Sequence, residues 1–237
     1  MSEWKARRFW KDARVVPVEA GFAVELDGRP VRAPSKTMLA MPSAPLAEAV
    51  AAEWDAQEEV ILPLTMPLTR AVNTSIDKSI PSRADIVRHL AEYGGSDLLS
   101  YRADGPAGLV AQQAATWDPV LDWLATTHGA RLAVTTGVMP AAQPETALRA
   151  LHNRLDAVDP WELTALSEFV TMTGSLALGL CALEGHLTPA TAWDASRVDE
   201  DWQIAQWGED EEEAERVAHK KTEFLQAAHY LDLLRAA

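Results

Sequence analysis

The residues best suited to chemistry are the acidic ones between Asp199 and Glu215, a stretch with nine carboxylates and no lysine or arginine. Paired carboxylates can carry out general acid-base catalysis, and carboxylate oxygens are ligands for hard cations such as Ca²⁺ and Mg²⁺. Calcium-binding loops, however, intersperse Asp with Asn and Gly, and this stretch lacks that pattern. A metal-dependent hydrolase that combines these acids with Asp97 or Asp118 is one hypothesis for their purpose.

Helix formation explains part of the same acidity. Asp210 followed by Glu213 is typical of a capping box, in which two side chains satisfy free N–H groups at the start of a helix. Glu212 precedes Arg216 by four residues, which is the spacing of an ion pair on a helix surface. Acidic residues in a first turn also interact favourably with the helix dipole. These residues therefore have a structural use that requires no ligand.

The two tryptophans of the stretch differ in their predicted environment. Trp202 shares a helical stripe with Val198 and Ala205, which predicts a structural position in the core, whereas Trp207 lies off this stripe. A large aromatic residue beside surplus carboxylates is typical of a binding hot spot for a partner with basic residues. We therefore predict five partner-binding residues, which are Trp207, Glu209, Asp210, Glu211 and Glu212. The residues alone leave partner binding and pure helix capping equally open.

No other motif predicts a catalytic or metal-binding residue. The six histidines are scattered, and no two have the H-x-x-x-H spacing of a metal site. Ser175 follows Gly174 in what reads as the middle of a helix, without the G-x-S-x-G pattern of a nucleophile elbow. Cys181 lies in an apolar stretch and is expected to be a small core residue. We expect no cofactor, no metal and no small-molecule substrate.

The composition argues against several classes of partner. A formal net charge of -14 disfavours binding to nucleic acids and to anionic membranes. The longest uncharged run, from Phe169 to Leu183, has 15 residues, too few to span about 30 Å of hydrocarbon. It predicts one buried helix and no membrane insertion. With a single cysteine the chain cannot form an intrachain disulfide. The lack of such disulfides is typical of proteins in a reducing compartment.

A small antiparallel sheet is predicted for residues 15–41, where apolar residues alternate through Phe22–Leu26. The dipeptide Asp27-Gly28 supplies the two positive φ angles that a type I′ hairpin requires. Ser43 can cap the next helix, whose apolar stripe ends at Trp54, a residue we expect to be structural.

Helical periodicity dominates the rest of the chain. Pro119 is expected to kink one of the helices or to divide it in two. The predicted fold class is therefore α+β, with a small antiparallel β-rich N-terminal domain followed by a larger all-helical C-terminal domain. Residues 1–70 form the first domain, including its covering helix, and residues 71–237 form the second.

Several stretches resemble a known family when they are taken together and in order. They are RFWKDARVV, GFAVELDGRPVRAP, LAEAVAAEWDAQ, MPLTRAVNTSID, DLLSYRA with QQAATWDPVLDW, and DWQIAQWGEDEEEAER. The chain resembles the assembly chaperones that act on the alpha subunit of the F(1) sector of ATP synthase in mitochondria and alphaproteobacteria. The resemblance covers nearly the whole chain.

This resemblance implies a non-enzymatic, ATP-independent chaperone that binds the unassembled alpha subunit and prevents its aggregation before the beta subunit arrives. It implies a cytoplasmic location in a bacterium, or the mitochondrial matrix in a eukaryote. A general subunit scaffold without a particular client is a further hypothesis.

Two family patterns can be placed on this sequence. W-G-x-D-x-E falls on Trp207, Gly208, Asp210 and Glu212, although the run Glu211–Glu213 leaves the last acidic position open by one residue. The E-W-D pattern falls on Glu53, Trp54 and Asp55.

Overall fold

The computed structural model describes residues 7–137, 139–140 and 142–236. The chain divides into two compact units: the first contains the residues up to Ser82 together with Gln226 and those after it, and the second runs from Arg83 to Leu225. A small antiparallel sheet followed by a mostly helical remainder confirms the predicted α+β class. The domain division at residue 70 stays a prediction. Residues from Gln226 onward belong to the first unit, so the two units are not simply two consecutive stretches of the chain.

The secondary-structure elements of the described residues are numbered in chain order. The strands are β1 Ala13–Val18, β2 Gly21–Leu26, β3 Arg29–Pro30, β4 Ala40–Met41, β5 Tyr101–Arg102 and β6 Thr135–Thr136. The helices are α1 Ala44–Asp55, α2 Pro67–Thr74, α3 Arg83–Tyr93, α4 Ala107–His128, α5 Glu145–Asp156, α6 Glu162–Thr173, α7 Leu176–Leu183, α8 Pro189–Ser196, α9 Val198–Trp207 and α10 Glu211–Arg235.

The sheet of the first unit is organised around β2, which pairs antiparallel with β1, β3 and β4. The connection from β2 to β3 consists of Asp27 and Gly28, whose φ angles are 48° and 78°. Two successive positive φ angles are what a type I′ turn requires, and this turn matches the twist of the strands it joins.

Helix α1 covers this sheet by packing on β1 and β2. It begins at Ser43, whose hydroxyl oxygen accepts the N–H of Leu46 at 3.4 Å. Leu46 and Val50 are completely buried, as the apolar stripe predicts. The Ser43 hydroxyl also donates to the carbonyl of Leu233 at 2.6 Å, so the chain end is fastened to the start of α1.

The uncharged run in the second unit folds as two helices, so the prediction of one buried helix is wrong. Gly174 ends α6 with a φ of 69°, and Ser175 caps α7 by accepting the N–H of Leu178 at 3.0 Å. A Cβ at Gly179 would lie 2.5 Å from Cγ2 of Val170, so α6 and α7 pack closely there. Hydropathy showed that the run is buried but not that its backbone reverses at a left-handed glycine.

Asp97 stabilises the start of α7 from within the core. Its carboxylate is fully buried and accepts the Ser175 hydroxyl at 2.8 Å, the Ala177 N–H at 3.0 Å and the Leu99 N–H at 3.1 Å. Burial raises the pKa of Asp97, and these hydrogen bonds oppose the rise.

Helix α4 is continuous through Pro119, so this proline does not divide it in two.

Candidate partner-binding site

Helix α9 carries the first part of the acidic stretch and is held against α4. Gly108 lies beneath the indole of Trp202, where an added Cβ would be 2.5 Å from Cη2 of the ring. Gln113 is buried and donates to Oδ1 of Asp199 at 2.6 Å. Asp199 thus positions α9. Trp202 is half-buried, but Ala205 is exposed, so the predicted core stripe does not extend past Trp202.

A sharp corner connects α9 to α10. The chain leaves α9 at Gly208, whose φ of 91° is unfavourable for other residues, and its N–H donates to Ile204 at 2.8 Å. Oδ1 of Asp210 accepts the N–H of Glu213 at 2.9 Å, which is the predicted cap. The corner therefore has a defined backbone conformation, and Asp210 contributes to it.

The predicted ion pair of this helix start has a different partner. Arg216 pairs with Glu213, three residues earlier, and not with Glu212 as the sequence suggested. The Glu213 side chain is thereby directed along α10, and no return bond to the N–H of Asp210 is found among the described residues. Only half of the predicted capping box forms, and Glu212 has no ion-pair partner in the described part of the chain.

A groove with a volume of about 520 Å³ lies where the faces of α9 and α10 meet this corner. Ile204, Trp207, Ala214 and Val217 contribute apolar surface to it. Its acidic lining residues are Glu200, Asp201, Glu209, Asp210 and Glu213. Trp207 is 79% exposed, the largest exposure of any aromatic side chain in the described residues. An apolar groove with an acidic rim and an open indole suits a basic, partly apolar partner.

The structure brings together three of the five residues predicted to bind a partner. Trp207, Glu209 and Asp210 line the groove, whereas Glu211 and Glu212 are exposed on the first turn of α10 outside its lining. A binding role for all five stays a prediction.

Most of the lining residues were not predicted from the sequence, among them Glu200, Asp201, Ile204 and Val217. A signal for them exists, because Glu200, Ile204 and Trp207 follow one another at spacings of four and three on a single helix face. Their grouping with Val217 depends on the angle between two helices, which no local pattern specifies.

The E-W-D residues have structural partners in the first unit. Glu53 accepts the N–H groups of Leu68 and Thr69, each at 2.7 Å, and so caps α2 from a neighbouring helix. The Trp54 ring lies 5.4 Å from that of Trp10 in an edge arrangement. We infer that Trp54 serves the fold.

Arg8 connects the N-terminal RFW stretch to the end of α1. Its guanidinium donates to the carbonyls of Asp55 and Gln57 and forms an ion pair of 3.1 Å with the Asp55 carboxylate. It also donates to the carbonyl of Trp10 at 3.1 Å. The two tryptophan motifs of this unit are therefore parts of one packing cluster.

The residues invoked for a metal-dependent hydrolase are engaged elsewhere. Asp97 is enclosed in the core by the donors described above, and Asp118 forms an ion pair of 2.8 Å with Arg102. Within the described ranges no three His, Cys, Asp or Glu side chains are grouped as metal ligands would be. Burial raises the pKa of the Cys181 thiol to about 12, so it is no nucleophile.

None of the helices in the described residues combines the length and apolar character needed to cross a bilayer.

The chain has clear relatives among known proteins. The family described as ATP12 chaperone protein matches residues 7–125. The mitochondrial protein atp12 of Schizosaccharomyces pombe is 23% identical over 215 residues, which are 85% of this chain and 74% of that protein. The crystal structure of Atp12 from Paracoccus denitrificans has a TM-score of 0.94 and 45% identity, covering 98% of this chain and 100% of that one. A structure of an Asp-to-Lys mutant of P. denitrificans Atp12p gives a TM-score of 0.94 and 44% identity, covering 99% and 100%.

The family match covers half of this chain. The alignment with the Paracoccus structure covers 98% of this chain and all of the Paracoccus chain. The family is one of chaperones and not of enzymes. These likenesses in sequence and fold establish that the chain belongs to the ATP12 chaperone family.

Proposed function

We propose that this protein is an ATP-independent assembly chaperone of ATP synthase and that its client is the unassembled alpha subunit of the F(1) sector. Membership of the ATP12 chaperone family supports the assembly role. The observation that carries a binding function is the exposed Trp207, which lies at a groove rimmed by carboxylates. The protein acts in the cytoplasm of a bacterium, or in the mitochondrial matrix if it comes from a eukaryote.

The chemistry of the groove suits a chaperone that must release its client. Charged rim residues accelerate encounter with a basic surface and add little to the lifetime of the complex. A single exposed indole supplies an anchor of limited apolar area. Such a complex is reversible, so the beta subunit can displace the chaperone as the hexamer forms.

The test is aggregation suppression and co-purification with free alpha subunit. Changing both Asp210 and Glu212 to Lys should abolish most of the protection while the far-UV circular dichroism is unchanged. Because Asp210 also caps α10, Asp210→Ser serves as a comparison that keeps a capping oxygen and removes the charge. A charge-matched control changes Asp104 and Glu145 to Lys, since both are exposed in the second unit.

Two outcomes would overturn the proposal. The site assignment fails if the Asp210 and Glu212 double variant protects the alpha subunit as well as the wild type does. The client assignment fails if the beta subunit is captured as strongly as the alpha subunit, which is the behaviour of a general scaffold.

A further inference from the structure

The faces of α9 and α10 that line the groove have the spacing of packing stripes. On α9, Ile204 and Trp207 lie three residues apart, and on α10, Ala214, Val217 and Ala218 lie at spacings of three and four. Such stripes normally pack against a neighbouring helix. In the described residues the other side of α9 packs against α4.

The residues of these stripes are only partly covered, and each keeps some surface exposed to solvent. Ile204, Ala214 and Val217 are half-buried, and Trp207 and Ala218 are exposed. The groove between the stripes holds about 520 Å³, enough for a few large side chains. Two helices that meet at a corner and present apolar residues to one groove can receive a third helix there.

The charges at the groove indicate what that third helix must carry. Arg197, the cation among the described lining residues, lies 3.6 Å from the Asp201 carboxylate, and Arg216 of α10 pairs with Glu213. Glu200 and Glu209 have no ion-pair partner in the described ranges. The rim is thus negative, and the exposed Trp207 ring can accept a guanidinium on its face.

The walls of the groove also argue against an extended occupant. Both walls are helices whose backbone groups are bonded within the helix, so they have no free strand edge for an added β-strand. Helix-in-groove recognition, by contrast, uses apolar residues at helical spacing.

We propose that the groove receives one amphipathic helix of the client, with small apolar residues on the inserted face and Arg or Lys on its flanks. This inference rests on the proposed function and specifies the part of the client that is recognised. The helix completes a three-helix arrangement with α9 and α10, and its arginine stacks on Trp207.

The probe is a labelled synthetic peptide of about 16 residues, roughly 24 Å long as a helix. It carries Leu and Ala on one face and Arg at the flanks. There are two comparison peptides: one has the same composition in a scrambled order that destroys the amphipathic pattern, and the other differs from the probe only by a central proline in place of an alanine. Fluorescence anisotropy measures binding to the full chain at low salt, and circular dichroism reports peptide helicity.

We expect the amphipathic peptide to bind at least roughly 10-fold more tightly than either comparison peptide and to gain helicity on binding. Trp207→Ala and Val217→Asp should each reduce its affinity by a similar factor. Val134→Asp is the control, since Val134 is 50% exposed and outside the groove. Because Trp207 is mostly exposed, Trp207→Ala should fold normally, which keeps the test valid if Val217→Asp does not.

Equal binding of the scrambled or proline peptide would overturn the inference, and so would unchanged affinity in Trp207→Ala. The free alpha subunit is measured in parallel. If it binds while the amphipathic peptide does not, the helix inference fails and the proposed function stands. If the peptide binds in the groove and the alpha subunit does not, the client assignment fails and the groove inference stands.

Discussion

Gly108 and Trp202 are in direct contact, and the absence of a side chain at Gly108 makes room for the indole. The contact joins the first turn of α4 to α9, the helix that carries one wall of the groove. A residue far from the groove in sequence therefore determines the position of that wall.

Gly108→Ala should displace Trp202 and weaken client binding. An alanine in a helix usually adds up to about 1 kcal/mol of stability, but forcing a methyl group into a filled site costs about 1 to 3 kcal/mol. Urea unfolding should thus show a net loss. Ala111→Val, at an exposed position of the same helix, is the control, and equal stability of the two variants would contradict the packing argument.

Arg8→Lys should destabilise the first unit. A lysine cannot reproduce the set of hydrogen bonds that the guanidinium makes to the carbonyls of Trp10, Asp55 and Gln57. Loss of hydrogen bonds to a charged donor predicts a decrease of about 2 kcal/mol in the free energy of unfolding. Arg14→Lys should cost far less, since the interaction that Arg14 makes within the described residues is an exposed pair with Glu25 at 3.5 Å.

Asp97→Ala should be among the most damaging single changes in the second unit. It would leave the N–H groups of Ala177 and Leu99 and the hydroxyl of Ser175 buried without an acceptor, at a cost of about 3 kcal/mol or more. Asp97→Asn retains one acceptor oxygen and should be less harmful. A thermal melt compares both with Asp104→Ala, an exposed control; a wild-type melting temperature in Asp97→Ala would refute this role.

Stability should depend on the ionisation of Asp27. The backbone N–H groups of Asp12 and Lys11 bond to its carboxylate and lower its pKa below the ordinary value of 3.8. Because the folded-state pKa is depressed, this contribution is present above 3.8 and is lost as the pH falls through the folded pKa. Asp27→Asn should therefore be less stable than wild type at neutral pH, and the difference should shrink in acid. If urea titrations give the same difference in free energy of unfolding between Asp27→Asn and wild type at every pH, the ionisation of Asp27 does not contribute to stability.

Client association should slow as salt is added. The rim carboxylates act at long range, and the screening length falls from about 30 Å at 0.01 M salt to about 8 Å at 0.15 M. Stopped-flow rates should fall by roughly 10-fold over this range. Glu209→Gln should lower the rate and flatten its salt dependence, whereas Glu145→Gln should do neither. An association rate that does not change with salt would show that the carboxylates do not steer the encounter.

Much of the architecture could be predicted because it depends on local chemistry. Asp27-Gly28 specifies its turn through positive φ angles, and Ser43 and Asp210 supply the capping oxygens at two helix starts. Each of these interactions joins residues that are at most three positions apart, and over so short a stretch the backbone has few allowed conformations. The sequence also marked Trp207 as unlike Trp202, a difference that the structure reproduces in their exposure.

What the sequence by itself determined was the α+β class, the turn at Asp27-Gly28, the caps at Ser43 and Asp210, and an acidic stretch with more carboxylates than a cap uses. Only the tertiary structure decided that Asp199 is bound by Gln113, that Glu213 rather than Glu212 pairs with Arg216, and that Gly174 breaks the apolar run. The physical reason is that hydropathy and spacing describe one helix at a time. The groove depends on the angle at Gly208 and on packing against Gly108, which join residues distant in the chain.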